Sequence, residues 1–292
     1  CGEFSIPWSL HMASRFVCVG ILLVAALLGA DSLPAQEQPP GEDAQRNKRL
    51  TLMENSIAAL EARSDEIRDK SVLTFTAKPL LRYNDPTREY VANLLLDATV
   101  WRLGESGRPT ALVTLEMYSG SGKEGLLSFE FASLTNAGFS LRHKANENVA
   151  WRATGSAVKM SPLAEAPPPA KSAAGRLAQM RRLARDFKVH ERLGDGQTVE
   201  CRLLAQPINR YTSAADKISD GAIFAFANGT NPELGLLLEC DDQRWSYGAV
   251  RLSSAELTLA LGDRELVKFQ PGDFRATSGT YSAAHHPLKL AD

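Results

Sequence analysis

Two tyrosines and six charged residues fall into two matching sets: Arg82, Tyr83, Asp97 and Glu116, and then Arg210, Tyr211, Asp220 and Glu239. Lys78-Pro79-Leu80-Leu81-Arg82-Tyr83 stands against Gln206-Pro207-Ile208-Asn209-Arg210-Tyr211, and Asp97-Ala98-Thr99-Val100-Trp101 against Asp220-Gly221-Ala222-Ile223-Phe224. An arginine on one strand can hold a carboxylate on its neighbour through two parallel hydrogen bonds. The simplest reading is a structural ion pair that pins strand to strand, with the tyrosine packed on the arginine stem or closing a corner. The functional reading is a pair of related ligand sites, in which Arg and Tyr face a polar ligand. A third chemistry, glycoside hydrolysis, needs two carboxyl groups across one cleft at a set separation. Glu116 and Glu239 could supply it only by meeting across a pseudo-twofold axis.

Other chemical motifs are weaker. Ser119 to Gly125 has the look of a phosphate loop, but Met117 stands where the first glycine belongs and Glu124 where the magnesium-binding hydroxyl belongs. A hairpin loop accounts for it. Ser156-Ala157-Val158-Lys159 has S-x-x-K spacing without the partner motifs, and no G-x-S-x-G elbow is present. His143 and His190 stand alone, and His285-His286 lies in a polar tail, so no metal set is expected. Asp241-Asp242 lacks a calcium-loop context and reads as a polar turn. Cys201 and Cys240 fall near the ends of expected strands. They could form a disulfide in an oxidising compartment or serve as buried thiols.

Composition narrows the class. The chain has 292 residues, with 33 Lys+Arg against 34 Asp+Glu. This balance argues against a nucleic-acid binder, and no cofactor motif is present. Residues 1–11 have no periodic pattern and are set aside. Met12, Arg15 and the apolar run Phe16 to Ala30, followed by the small residues Ala30 and Ala35, read as a signal peptide over 12–35. Its apolar part is shorter than the roughly 20 residues of a membrane span. Removing residues 1–35 takes away Arg15, Glu3 and Asp31 and leaves 32 residues of each sign. The expected location is the periplasm, cell envelope or exterior.

These residues need elements to position them. Residues 36–45 read as a flexible tether. Leu50, Met53, Ile57, Leu60 and Ile67 recur at helical spacing and predict an amphipathic helix over about 46–69. Strands are expected near 72–78, 97–103, 111–118, 126–133, 138–143 and 148–153. Leu127, Phe129 and Phe131 alternate with Ser128, Glu130 and Ala132, as in a half-buried strand. A Pro/Ala-rich linker spans 162–175. A second amphipathic helix spans about 173–187, and strands resume at Val199. Residues 276–292 read as a solvated tail. Arg176, Arg181, Arg182 and Arg185 on the second helix could land on an anionic surface, or could simply be a solvated face.

The matches between the two parts keep their order. They extend to Pro109 with Pro232, Leu134 with Leu252, Leu141 with Leu259 and Trp151 with Phe269. This predicts an internal duplication: repeat 1 over 46–161 and repeat 2 over 176–275, each a helix followed by strands. The expected fold is mainly antiparallel β and sandwich-like, with α+β as the alternative.

Pro207-Ile208-Asn209-Arg210-Tyr211, Asp220-Gly221-Ala222-Ile223-Phe224-Ala225-Phe226, Thr230-Asn231-Pro232-Glu233, and Pro167-Pro168-Pro169 ahead of Arg176-Leu177-Ala178-Gln179-Met180-Arg181 carry a resemblance over about 70–290. On these segments the chain is similar to uncharacterised exported bacterial proteins of planctomycete type. The resemblance implies export and brings no catalytic residue with it. The expected function is a non-catalytic binding or interaction protein of the envelope or exterior, with an envelope protein or polymer as partner. The alternative is a hydrolase of envelope or extracellular polymer.

Overall fold

The computed structural model describes residues 40–65, 72–90, 93–120, 124–273 and 276–289. The expected signal segment lies outside them. Two helices and nineteen strands follow in the described residues. The first part of the chain holds α1 (Pro40–Ala58), β1 (Leu60–Ser64), β2 (Val72–Leu73), β3 (Leu81–Tyr90), β4 (Asn93–Leu103), β5 (Ala111–Ser119), β6 (Glu124–Ser133), β7 (Phe139–His143) and β8 (Asn146–Ala153). The short β9 (Ser161–Pro162) comes next. The second part holds α2 (Ala173–Ala184), β10 (Phe187–Arg192), β11 (Thr198–Leu203), β12 (Asn209–Ser213), β13 (Ile218–Asn228), β14 (Asn231–Cys240), β15 (Trp245–Arg251), β16 (Glu256–Leu261) and β17 (Arg264–Phe269). The chain closes with β18 (Ser278–Gly279) and β19 (Tyr281–Lys289).

Helix α1 begins earlier than periodicity predicts. Pro40 sits at its start, where a missing N–H costs nothing, and Glu42 and Asp43 in the first turn suit the positive end of the helix dipole. The expected tether is therefore helical from residue 40 on. The helix also ends earlier. Met53 and Ile57 are buried one turn apart, but Leu60 and Ala62 are buried two apart, the period of a strand. That strand, β1, pairs with β7 from Leu60–His143 to Ser64–Phe139. Helix α2 starts at Ser172, whose side chain accepts from the Gly175 N–H at 3.1 Å, and it buries Met180, Leu183 and Ala184.

Pairing is antiparallel throughout, apart from the parallel contact of β18 with β8. In the second part the strands run β17-β16-β10-β11-β13-β14-β15, with β12 on β13. The first part has the same order in two pieces, β8-β7-β1-β2 and β6-β5-β4-β3, bridged by Phe75 and Leu103. Registers agree too: Asp97 stands across from Met117 as Asp220 does from Cys240, and Leu60 from His143 as Phe187 does from Leu261.

Each part wraps its sheet around its own helix and core. One core gathers Met53, Trp101, Phe129, Phe131 and Trp151, and the other Met180, Phe187, Phe224, Leu236 and Trp245. A third cluster joins them back to back, with Leu112, Ala132 and Leu134 against Ile223, Leu237 and Val250. Central strands are thus covered on both faces, and all ten residues of β14 are buried. For the same reason β6 is not half-buried as its alternation predicts: Ser128, Glu130 and Ala132 are buried along with Leu127, Phe129 and Phe131.

The expected solvated tail is a strand. β19 pairs with β6 over nine residues, from Tyr281–Ala132 to Lys289–Glu124. The expected linker likewise begins with β9, which pairs with β15 through Ser246–Pro162 and Tyr247–Ser161, and Leu163 enters the second core. The segment after the first part therefore seals the second sheet, and the segment after the second part seals the first. Sealing removes rows of unpaired backbone groups that would otherwise invite association.

Candidate functional site

The two sets of residues singled out in the sequence each assemble, and they assemble alike. Arg82 lies on β3 beside β4. It donates to Asp97 through Nε at 2.9 Å and Nη2 at 2.5 Å, and also to the backbone oxygen of Arg46 on α1. Arg210 donates to Asp220 through Nε at 2.9 Å and Nη2 at 2.6 Å, and to the Ala173 oxygen on α2 at 2.6 Å. A second arginine from each helix joins in: Arg49 lies 3.5 Å from Asp97, and Arg176 lies 3.0 Å from Asp220. Both aspartates are almost wholly buried. Each cluster ties a helix, the middle of α1 or the first turn of α2, to an edge strand and a central strand. The helix arginines were missed as partners, although Arg49 precedes Met53 by the same interval as Arg176 precedes Met180.

The tyrosines behave in parallel. Tyr83 donates to Glu116 at 2.9 Å, and Tyr211 to Glu239 at 2.6 Å. Burial and the adjacent carboxylate hold both phenols well above their ordinary pKa, so both stay protonated donors. Gly221 is fitted to this contact: a Cβ there would come within 2.6 Å of the Tyr211 ring.

Beyond this point the two sets differ. Glu239 receives a bidentate grip from Arg108, at 2.7 and 2.6 Å, and this bond ties the β4–β5 loop to the second part. The position matching Arg108 by register beside Glu116 is Asn231. Glu116 instead accepts from Tyr118 at 2.6 Å and lines a cleft of about 810 Å³ with Glu130, Glu191, Asn231 and Glu233. The cleft draws on both parts of the chain. Glu130 is held up to about 8 by burial and the Glu116 charge, against the pull of Tyr281 and Arg251. Glu233 is raised well above its ordinary value by burial and by Glu191. Arg251 does not grip these carboxyls. It donates to the Ser253, Gln270 and Ala255 carbonyls and lies 4.4 Å from the Tyr281 ring centre. Tyr281 in turn donates to Glu130 at 2.7 Å. The position matching Glu130 is Gly248, over which Val158 and Met160 pass. The counterpart of the cleft is therefore filled. Of the residues singled out in advance, only Glu116 faces the cleft. The others form buried clusters, and Glu116 and Glu239 do not share a site.

Three further observations bear on residues singled out in the sequence. Cys201 and Cys240 are both buried thiols and are not joined in a disulfide. Cys240 pairs with Asp220 at one end of β13, while Arg202, next to Cys201, pairs with Ala227 near the other. That places them roughly 25 Å apart along the strand, well beyond the roughly 7 Å a disulfide allows. Arg176 does not face an anionic surface, because it is committed to Asp220 and to the Ala170 and Lys171 carbonyls. Arg181 binds Gln206, which leaves Arg182 and Arg185 as the exposed arginines of α2. His143 does not stand alone, since the His286 ring stacks on it at 6.0 Å. Among the described residues no group of three or more His, Cys, Asp or Glu is placed to hold a metal ion.

No helix among the described residues is long and apolar enough to cross a membrane. Compared with known proteins, the chain matches no family, no curated protein and no solved structure, so its own geometry is the ground for a functional reading.

Proposed function

We propose that this is an exported, non-catalytic binding protein, built by internal duplication, that takes a cationic ligand in the cleft lined by Glu116, Glu130, Glu191 and Glu233. Export rests on the Met12–Ala35 segment and on the resemblance drawn from the sequence. Duplication is supported by the shared strand order, the matching registers and the twin Arg-Asp and Tyr-Glu contacts. One observation carries the choice of ligand: Glu116, Glu130, Glu191 and Glu233 line one cleft of about 810 Å³, in which burial and neighbouring carboxylates hold Glu130 and Glu233 above the ordinary carboxylate range. An amine or guanidinium group entering the cleft would bring a positive charge among these four carboxyls. It would also offset the burial and the neighbouring negative charge that favour the protonated forms of Glu130 and Glu233.

The test is calorimetric titration of the protein at pH 7.5 and low salt with putrescine, spermidine and arginine, with maltose as the neutral control. The reading predicts binding of amines with release of protons, weakened at least tenfold in Glu191→Gln and Glu233→Gln. Absence of amine binding sinks it.

A second reading, a hydrolase, is favoured by one feature: a protonated Glu130 beside Glu116 in one cleft resembles an acid and base held at different pKa values. It predicts hydrolysis of aryl glycosides or envelope polymer that disappears in Glu130→Gln. Such turnover would displace the binding reading.

A further inference from the structure

The groove between α1 and the first sheet differs from its counterpart in the second half. Its volume is about 510 Å³, and it is lined by Lys48, Thr51 and Asn55 from the helix, His143 from β7 and His286 and Leu288 from β19. By register, His143 corresponds to Leu261 and His286 to Leu163, and the helix position of Lys48 corresponds to Gly175. The second groove is about 260 Å³, and the proline segment lies across it. Gln179 clamps that segment, donating to the Pro168 oxygen at 2.9 Å and accepting from the Ala170 N–H at 2.7 Å. Where one half packs leucines and a proline strap, the other keeps an open groove with two imidazoles and an ammonium.

From this contrast we infer that the α1 groove binds a small molecule carrying an oxyanion, phosphate or carboxylate, on an apolar body. The donors are already oriented. The Ala145 N–H donates to His143 Nδ1 at 3.1 Å, and the Asn146 amide lies 2.6 Å from His286 Nδ1. Each neutral ring then carries its proton on Nε2, the nitrogen left to face a ligand. Lys48 also lines an adjoining hollow of about 220 Å³ with Arg49 and Lys289, and among the described residues no acidic one lines either space. Leu52, Leu127 and Leu288 give the groove an apolar floor.

The charged groups around the histidines come from every neighbouring element. On α1 it is Lys48, and on β19 it is Lys289, which stands across from Glu124 of β6. On β1 it is Glu61, which is held by Arg142 at 2.7 Å and faces Lys144 at 3.8 Å. Burial and the His286 imidazole keep His143 below the ordinary histidine range when the groove is empty. An oxyanion reverses that balance, so binding takes up protons and strengthens as pH falls.

Calorimetric titration of the full chain with phenyl phosphate, hexanoate and inorganic phosphate, at pH 6 and pH 8 in buffers of different ionisation enthalpy, tests this. Phenyl phosphate or hexanoate should bind with proton uptake, at least tenfold more tightly at pH 6, and inorganic phosphate more weakly than phenyl phosphate. Which of the first two binds distinguishes a phosphate from a carboxylate ligand. The double variant His143→Leu/His286→Leu carries the residues found at the matching positions of the other half. It should keep its melting temperature and lose binding, while His190→Gln should change neither. Failure of all three probes to bind, unchanged binding in the double variant, or a response to zinc ions alone would overturn the inference.

Discussion

Asp97 and Asp220 show how much depends on single contacts. Each is a buried carboxylate gripped in bidentate fashion by an edge-strand arginine and approached by a helix arginine. Removing one partner of a buried pair leaves a charge without compensation, at a cost of about 3–5 kcal/mol. Arg82→Ala should fall near the low end, about 3 kcal/mol by urea unfolding, because Arg49 remains nearby. Glu130 makes a prediction of opposite sign. Its folded-state pKa of about 8 exceeds the ordinary 4.5, so the folded protein retains a proton that the unfolded chain gives up. The associated stability is present below about pH 4.5 and is lost as pH rises through about 8. Glu130→Gln should therefore gain in melting temperature relative to the parent as pH goes from 5 to 9. Equal pH slopes in the two proteins would contradict the assignment. The Arg-carboxylate pairs were legible because like residues recur in like order, whereas the tyrosines, read as packing on the arginine stems or closing a corner, instead donate to Glu116 and Glu239. The Glu130 and Glu233 environment was not legible, because they gain a shared cleft only when the two halves meet.

Elements were legible where one face decides their burial. β5, β6, β7 and β8 stand close to their expected positions. β3 is not among the expected strands; it contains Pro86, whose missing donor an edge strand tolerates. The extent of α1 was misjudged because Leu60 fits a helical spacing and a strand spacing equally well, and only pairing with β7 decides between them. β19 was hidden by polar residues, His285, His286 and Lys289, although Ala283 and Ala284 are buried against β6. Deleting residues 281–292 should bare the β6 edge. The expected result, read by calorimetry and light scattering, is a melting temperature lower by about 10 °C or more, together with self-association. A truncated chain that stays monomeric with an unchanged melting temperature would mean that β19 adds little.

At the scale of the whole molecule, the two halves belong to one mainly antiparallel, sandwich-like β fold rather than to two separate domains. Each has its own core, a third cluster joins them, and each is sealed by the segment that follows the other. Thermal unfolding should therefore be one calorimetric transition with matching van't Hoff and calorimetric enthalpies. Two resolved transitions would mean that the cores melt independently. The places where the halves diverge are also informative: Asn231 against Arg108, Glu130 against Gly248, and His143 and His286 against Leu261 and Leu163. At these matching positions the second half is closed where the first is open.

The reciprocal sealing has a consequence for the integrity of the chain itself. The peptide link between the halves is topologically redundant once folding is complete. A protease site engineered between Pro169 and Ser172 should yield a nicked species that runs as two fragments in denaturing gels yet elutes as one particle under native conditions. Its pieces, separated in denaturant and mixed, should find each other again as a split protein does. The same redundancy makes this stretch a natural opening for new chain termini.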